Sequence, residues 1–200
     1  DLDRTFGADR RVQRSPDYFA HNANSAIRKE LWDQHPFDET IPGLEDIEWA
    51  KHWMERDFEV AYEPEAALYH IHEETWRQVR HRFYREAVAH RCMGLKSRRT
   101  IPKELLKEAA RTLGDFYQAL TNKDNPVAER LSIGQRLREI IYFRINMNYG
   151  TLKGLLAPHP LDNEESLDLS YFDRRTNAVV IHKPNHAALE EIEIPEKLSY

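Results

Sequence analysis

Gly43-Leu44-Glu45-Asp46-Ile47-Glu48-Trp49-Ala50-Lys51-His52-Trp53-Met54 is the stretch on which the fold turns. Pro42 and Gly43 make a loop, after which Ile47, Ala50, Trp53 and Met54 recur at helical spacing, so the segment predicts an amphipathic helix that opens with acid. Asp46 is expected at or near the N-cap, where a short carboxylate accepts from the free N–H groups of the first turn.

Upstream, residues 1–20 are polar and irregular and end in Tyr18-Phe19, an apolar pair that reads as the start of a buried strand. Asn24-Ser25 then offers a cap, and Ala26, Ile27, Leu31 and Trp32 predict a helix that His35-Pro36 stops. Downstream, Phe58–Tyr62 and Ala66–His70 read as short strands on either side of Pro64. From Glu74 to about Leu95 the helical pattern returns with Trp76, Val79, Phe83, Ala87 and Met93. This stretch and its continuation to residue 99 are rich in cations, with Arg77, Arg80, Arg82, Arg85, Arg91, Lys96, Arg98 and Arg99. Two more helices are expected over 102–122 and 126–149, the first with Pro102 in its opening turn, forming a helical hairpin. Gly150, in Gly150-Thr151-Leu152-Lys153-Gly154, is expected to end the second as its C′ residue. The composition shifts suggest a first domain over 1–97, a helical extension over 98–157, a Pro-containing acidic linker over 158–177, and something new over 178–200, where Val179-Val180-Ile181-His182 and Glu191-Ile192-Glu193-Ile194 read as strands.

The 200 residues are 40% hydrophobic and 32% charged, ordinary for a folded soluble chain. With 29 Lys and Arg against 34 Asp and Glu, the net charge is −5, which disfavours bulk nucleic-acid binding. No apolar run approaches the roughly 18 to 20 residues that cross a bilayer. One cysteine, Cys92, excludes an internal disulfide framework and any Cys-rich zinc module, and fits a reducing compartment. The chain starts at Asp1 without initiator Met or leader, and is read as a piece of something longer. His72-Glu73-Glu74-Thr75-Trp76 begins like a metalloprotease zinc helix, but the position of the second histidine holds Trp76. Glycine-rich dinucleotide, P-loop and nucleophile-elbow motifs are missing from the sequence.

What remains is an ordered set: Asn22-Ala23-Asn24-Ser25-Ala26-Ile27-Arg28, Phe37-Asp38-Glu39, Gly43 to Trp49, Tyr62-Glu63-Pro64-Glu65-Ala66, and Tyr69-His70-Ile71-His72. This order, over about residues 5–95, resembles the acceptor-side half of family 2 glycosyltransferases of the bacterial surface-polysaccharide type. Two departures stand at turns: His35-Pro36 precede the Phe-Asp pair and Asp57 follows the acidic helix, both where a glycine is usual. Asp tolerates a left-handed C-cap moderately well.

The resemblance implies an α/β fold, the C-terminal part of an A-type (Rossmann-like) glycosyltransferase domain followed by an α-helical extension. It implies inverting transfer from a nucleotide-sugar donor to a hydroxyl of a glycan or polyprenyl-diphosphate-linked glycan, in polysaccharide biosynthesis. Such chemistry needs a carboxylate to take the hydroxyl proton as the hydroxyl attacks. Local features favour Asp46 as a helix cap and the resemblance makes it the base, with Glu45 positioning the acceptor. Asn24 and Arg28 read equally as cap and surface arginine or as contacts to acceptor or phosphate oxygens. Trp49 reads first as core and second as a wall for a sugar ring, and Trp76 as an acceptor platform or a packing residue. His70 and His72 share one side of the expected strand. The resemblance implies that one of them helps hold a divalent cation, Mn or Mg, whose Asp-x-Asp ligands are expected upstream of residue 1. The chain then lacks the nucleotide-binding half and is expected to be inactive alone. The basic helix reads as a solvated face or as a dock for anionic lipid, with a cytoplasmic location at the inner face of the cell membrane. The tail from Ala178 resembles the opening hairpin of medium-chain alcohol dehydrogenases. The runner-up reading is a non-catalytic carbohydrate- or membrane-binding module with glycosyltransferase architecture.

Overall fold

The computed structural model describes residues 8–66, 74–121 and 131–158. All of them fall in the first of the two units into which the chain divides, Asp1–Leu169 and Ser170–Tyr200. The elements in order are β1 (Arg11–Gln13), α1 (Lys29–Gln34), α2 (Glu45–Met54), β2 (Val60–Tyr62), α3 (Trp76–Cys92), α4 (Ile101–Thr121) and α5 (Ile133–Leu156). Single 3-10 turns occupy Pro64–Ala66 and Arg98–Thr100. His70, His72, residues 178–200 and all of the 158–177 linker except Pro158 lie outside the described residues, so the readings placed on them stay as expectations.

Among the described residues the fold is mostly helical, and the strands are β1 and β2 alone, paired antiparallel with Arg11 opposite Tyr62 and Gln13 opposite Val60. A Rossmann-like sheet is not seen among them. The strand expected from Tyr18-Phe19 lies earlier, because Asp17 N–H donates to the Arg14 carbonyl (2.7 Å) and turns the chain after Arg14. Polar Arg11-Val12-Gln13 forms a strand because its partners complement it in charge and ring. The Arg11 guanidinium lies over the Tyr62 ring at 5.5 Å, Arg14 pairs with Glu59, and Arg10 lies 3.4 Å from Glu63.

α1 is shorter than its periodicity predicts. Its N-cap is Arg28, in extended conformation, because the polar side chains that would cap an earlier start are engaged elsewhere. Ser25 Oγ donates to Asn22 Oδ1 (2.7 Å), and Asn24 Nδ2 donates to the carbonyl of Ala66. α2 begins after Leu44, whose φ of 60° is left-handed, so Asp46 stands inside the first turn rather than at the cap. Leu31 of α1 and Trp49 and Trp53 of α2 form a buried cluster, with Phe37 and Phe58 packed against it. Trp53 meets Trp49 and Phe58 edge to face, at ring centroids 6.2 and 5.0 Å away.

α2 and α3 end in the same way. At α2, Phe58 N–H donates to the Trp53 carbonyl and Asp57 N–H to that of Met54; at α3, Leu95 N–H donates to His90 and Gly94 N–H to Arg91. These are Schellman closures that put residue C′ in the left-handed region, with φ of 64° at Asp57 and 70° at Gly94. Gly94 does this without strain. Asp57 does it with a short polar side chain, as its sequence context suggested.

Thr75 with Gln78, and Ser132 with Gln135, make reciprocal capping boxes that start α3 and α5. α3, grouped by sequence with the first domain, packs along α5 of the helical extension and buries Val79, Ala87, Val88, Met147 and Leu155. Here the reading of Gly150 as a helix end is corrected, because α5 runs through Gly150 and Gly154 to Leu156. The glycines are there for proximity. A Cβ at Gly154 would lie 2.5 Å from the Tyr84 carbonyl oxygen and 2.8 Å from Ala87 Cβ, and one at Gly150 would collide with the Arg80 carbonyl.

Part of the basic charge of α3 and the turn after it is engaged within the fold, while Arg77, Arg80 and Arg99 remain exposed. Arg91 donates to the carbonyls of Gly154 (3.1 Å) and Ala157 (2.6 Å), and Arg98 to that of Leu156 (3.0 Å), closing the negative end of α5. Arg85 donates to the Pro42 carbonyl (3.3 Å), and Arg82 makes a forked pair with Glu74, whose side chain is buried. α4 is tied to α5 through Arg144, which pairs with Glu108 (2.7 Å) and Asp115, while Leu106, Leu113 and Tyr117 face outward. No helix among the described residues is long and apolar enough to cross a membrane.

Two expectations follow from this packing. Gly150→Ala should destabilise the protein although Ala is the better helix former by ~1 kcal/mol, because overpacking against backbone costs about 1–3 kcal/mol. The urea midpoint reads this directly, and a midpoint that rises would show that the two backbones are not in contact. The second concerns His90, whose Nδ1 lies 2.8 Å from the Glu86 carbonyl and therefore carries the proton it donates. Burial lowers its pKa below the ordinary 6.5, with Lys96 adding to the effect and the Glu86 hydrogen bond and Glu104 opposing it. A depressed imidazole favours the folded state above pH 6.5 and loses that contribution as pH falls toward the folded value. Tm should accordingly decline below pH 6.5, and His90→Asn, which keeps a donor near Nδ1 but cannot titrate, should flatten that decline. An unchanged slope in the variant would assign the acid sensitivity to other groups.

Candidate functional site

A cleft of about 1080 Å³ is bounded by the segment around Phe19–Leu31, by one face of α2, and by the chain from Asp57 to Ala66. Four of the residues singled out in the sequence line it: Asn24, Arg28, Asp46 and Trp49. They come together because the Asn22–Arg28 segment is laced to both other walls. The Asn22 N–H donates to Asp46 Oδ2 (2.9 Å), and the Asn24 side chain reaches the carbonyl of Ala66 at the end of the Pro64–Ala66 turn.

Asp46 is half-buried and lines the cleft from the N-terminal end of α2. Its other oxygen, Oδ1, accepts from the N–H of Ile47 (2.8 Å). Each carboxylate oxygen thus has one backbone donor, which fixes the orientation of the group and leaves further lone pairs free. A carboxylate held in this way can accept a proton from a hydroxyl brought within hydrogen-bond reach.

The remaining candidates divide. Trp49 is core, 7% exposed, with its indole N–H donating to the His35 carbonyl (2.7 Å) and its ring edge to face with Phe37, so it touches the cleft only as part of its floor. Trp53 lies beside it, and its indole N–H has no hydrogen-bond partner among the described residues. Among the described residues the Arg28 guanidinium makes a single long contact, to Glu30 at 3.9 Å, with both side chains largely exposed, so it is available to an anion. Glu45 opens α2 but is not among the residues that line the cleft. Trp76 does not line it either; it stacks on Tyr142 of α5 with ring centroids 5.9 Å apart and serves the helix packing. His70 and His72 lie outside the described residues.

A second, smaller hollow of about 220 Å³ sits between α3, α4 and α5. Ion pairs line it, Lys96 with Glu104 at 2.9 Å and, within α4, Arg111 with Glu108 at 2.5 Å.

One cluster escaped the sequence reading. His35, Glu48 and His52 each offer a ligand atom, all within 4.8 Å of one another. Glu48 and His52 stand one helical turn apart on α2, an i, i+4 spacing that was visible in the sequence. His35 signals the end of α1 in the sequence, and its proximity depends on the turn between the helices. The pKa of His52 is lowered by burial and by its neighbours His35 and Arg56, against the pull of Glu48 and Glu55. No protein-family model, curated protein or solved structure matches this chain.

Proposed function

We propose that the cleft is the acceptor side of an inverting glycosyltransferase site, in which a sugar passes from a nucleotide-sugar donor to a hydroxyl of a glycan or lipid-linked glycan. The observation that carries this reading is the Asp46 carboxylate, oriented by two backbone donors and lining a cleft large enough for a saccharide, with Asn24 and Arg28 in the same walls.

In this reading the acceptor lies along the Asn22–Arg28 wall with its hydroxyl against Asp46. The carboxylate takes the proton as the hydroxyl oxygen attacks the anomeric carbon from the face opposite the leaving diphosphate. The charge that leaves on the diphosphate needs a positive partner, and Arg28 is the guanidinium within the cleft walls that is free to supply one. A divalent cation in such enzymes neutralises the leaving group when bound. Its expected protein contacts, His70 and His72, fall outside the described residues, and the mechanism here uses Asp46, Asn24 and Arg28 only.

The test is sugar transfer by the full-length polypeptide carrying Asp46→Asn, which keeps size and most hydrogen bonding but accepts no proton. Turnover should fall by about 10² or more while donor affinity stays near the wild-type value, since general-base catalysis contributes about 10² to 10⁴. Retention of most of the turnover would remove Asp46 from the role. Binding of glycan without transfer by either form would favour a carbohydrate-binding module.

A further inference from the structure

The cluster of His35, Glu48 and His52 lies on the side of α2 away from the cleft. Successive residues of a helix turn by about 100°, so Glu48 and His52 project roughly opposite to the face that Asp46, Ala50 and Trp53 present to the cleft. None of the three lines that cleft.

Their arrangement is supported from both helices. His35 caps the C-terminus of α1, its N–H donating to the Leu31 carbonyl (3.0 Å) while its carbonyl accepts from the Trp49 indole (2.7 Å). The backbone of His35 is therefore held to α1 on one side and α2 on the other. Its ring lies flat on that of His52, with centroids 3.6 Å apart and planes at 7°. His35 Nε2 is 3.1 Å from Glu48 Oε2. The side chains of His35 and Glu48 are 25% and 20% exposed, so the site is half-buried but open to solvent on one side.

We propose that His35, Glu48 and His52 form a zinc site that staples the end of α1 to the back of α2. Two imidazoles and one carboxylate are a donor set that suits Zn²⁺, with Zn–N near 2.0–2.1 Å, Zn–O near 2.0–2.2 Å, and water in the fourth position. Imidazole donors favour zinc over magnesium or manganese, which prefer all-oxygen shells. Ligand atoms around a tetrahedral zinc stand roughly 3.3 Å apart. The His35–Glu48 pair already meets that spacing, and the widest separation, within 4.8 Å, closes by side-chain rotation. Stacked imidazoles have nearly parallel lone pairs, so the rings must splay for both to converge on one ion. Zinc binding therefore breaks the His35–His52 stack and replaces it with two metal bonds. The site stands apart from the proposed sugar transfer and holds whether or not the cleft performs it.

Metal-free wild-type protein titrated with Zn²⁺ by calorimetry should take up one ion per chain at this site, and Co²⁺ in its place should develop the visible absorption of a four-coordinate nitrogen–oxygen shell. His52→Ala and Glu48→Gln should each weaken zinc binding by at least ~10-fold, since loss of an outer-shell partner alone commonly costs 10- to 100-fold. Circular dichroism checks that each variant is folded. If His52→Ala is not, Glu48→Gln decides alone, because it retains the shape of the side chain and a hydrogen bond to His35. Absence of zinc binding, or binding of unchanged strength in the folded variants, overturns the site.

Discussion

The two indoles of α2 hold this half of the molecule together. α2 is a ten-residue helix, too short to persist in water by itself. Its neighbours at each end, Leu44 and Asp57, occupy left-handed conformations that side chains other than glycine's adopt at a cost. What offsets this is the burial of Trp49 and Trp53 against Leu31, Phe37 and Phe58, aromatic surface of the size that dominates small cores. Because the indoles sit on one face, the rest of the helix is oriented by them. Asp46 is turned toward the cleft, and Glu48 and His52 are turned toward the end of α1. The Trp49 indole also fixes the His35 carbonyl, so one hydrogen bond links the aromatic core to the histidine cluster behind it.

What could be read in the sequence was what is local. The acidic helix, the long helices near 76–92 and 101–121, the presence though not the bounds of the one at 133–156, and the left-handed turn at Asp57 follow from local spacing and turn chemistry. The strand at Arg11–Gln13 did not, because it is stabilised by partners about fifty residues away that no period reveals. The same holds for Gly150. As a residue in a chain it signals a helix end, and only the approach of Arg80 from another helix makes it an interior position.

The candidate site divides on the same line. Asn24, Arg28 and Asp46 could be grouped from their order along the chain, and the structure places them in one cleft. Trp76 could not be separated from them by sequence, since its partner Tyr142 lies on the far hairpin. Charge counted per segment does not tell which basic residues of α3 stay at the surface, as Arg77 and Arg80 do. Where each guanidinium goes depends on which carbonyls another helix leaves open, and Arg91 and Arg98 find theirs at the end of α5.

Gly150 and Gly154 act as two notches, one turn apart, into which the backbone ridge of α3 fits. A slide of α5 by one residue would bring Thr151 or Leu155 to a place where only hydrogen has room. The pair therefore has no small adjustments available. The first displacement that returns a glycine to the contact is a whole step of four residues, about 6 Å along the axis, and it would leave the other notch empty. α3 and α5 thus behave as a keyed joint rather than a sliding one, and whatever motion accompanies binding at the cleft must be taken up by segments other than this pair.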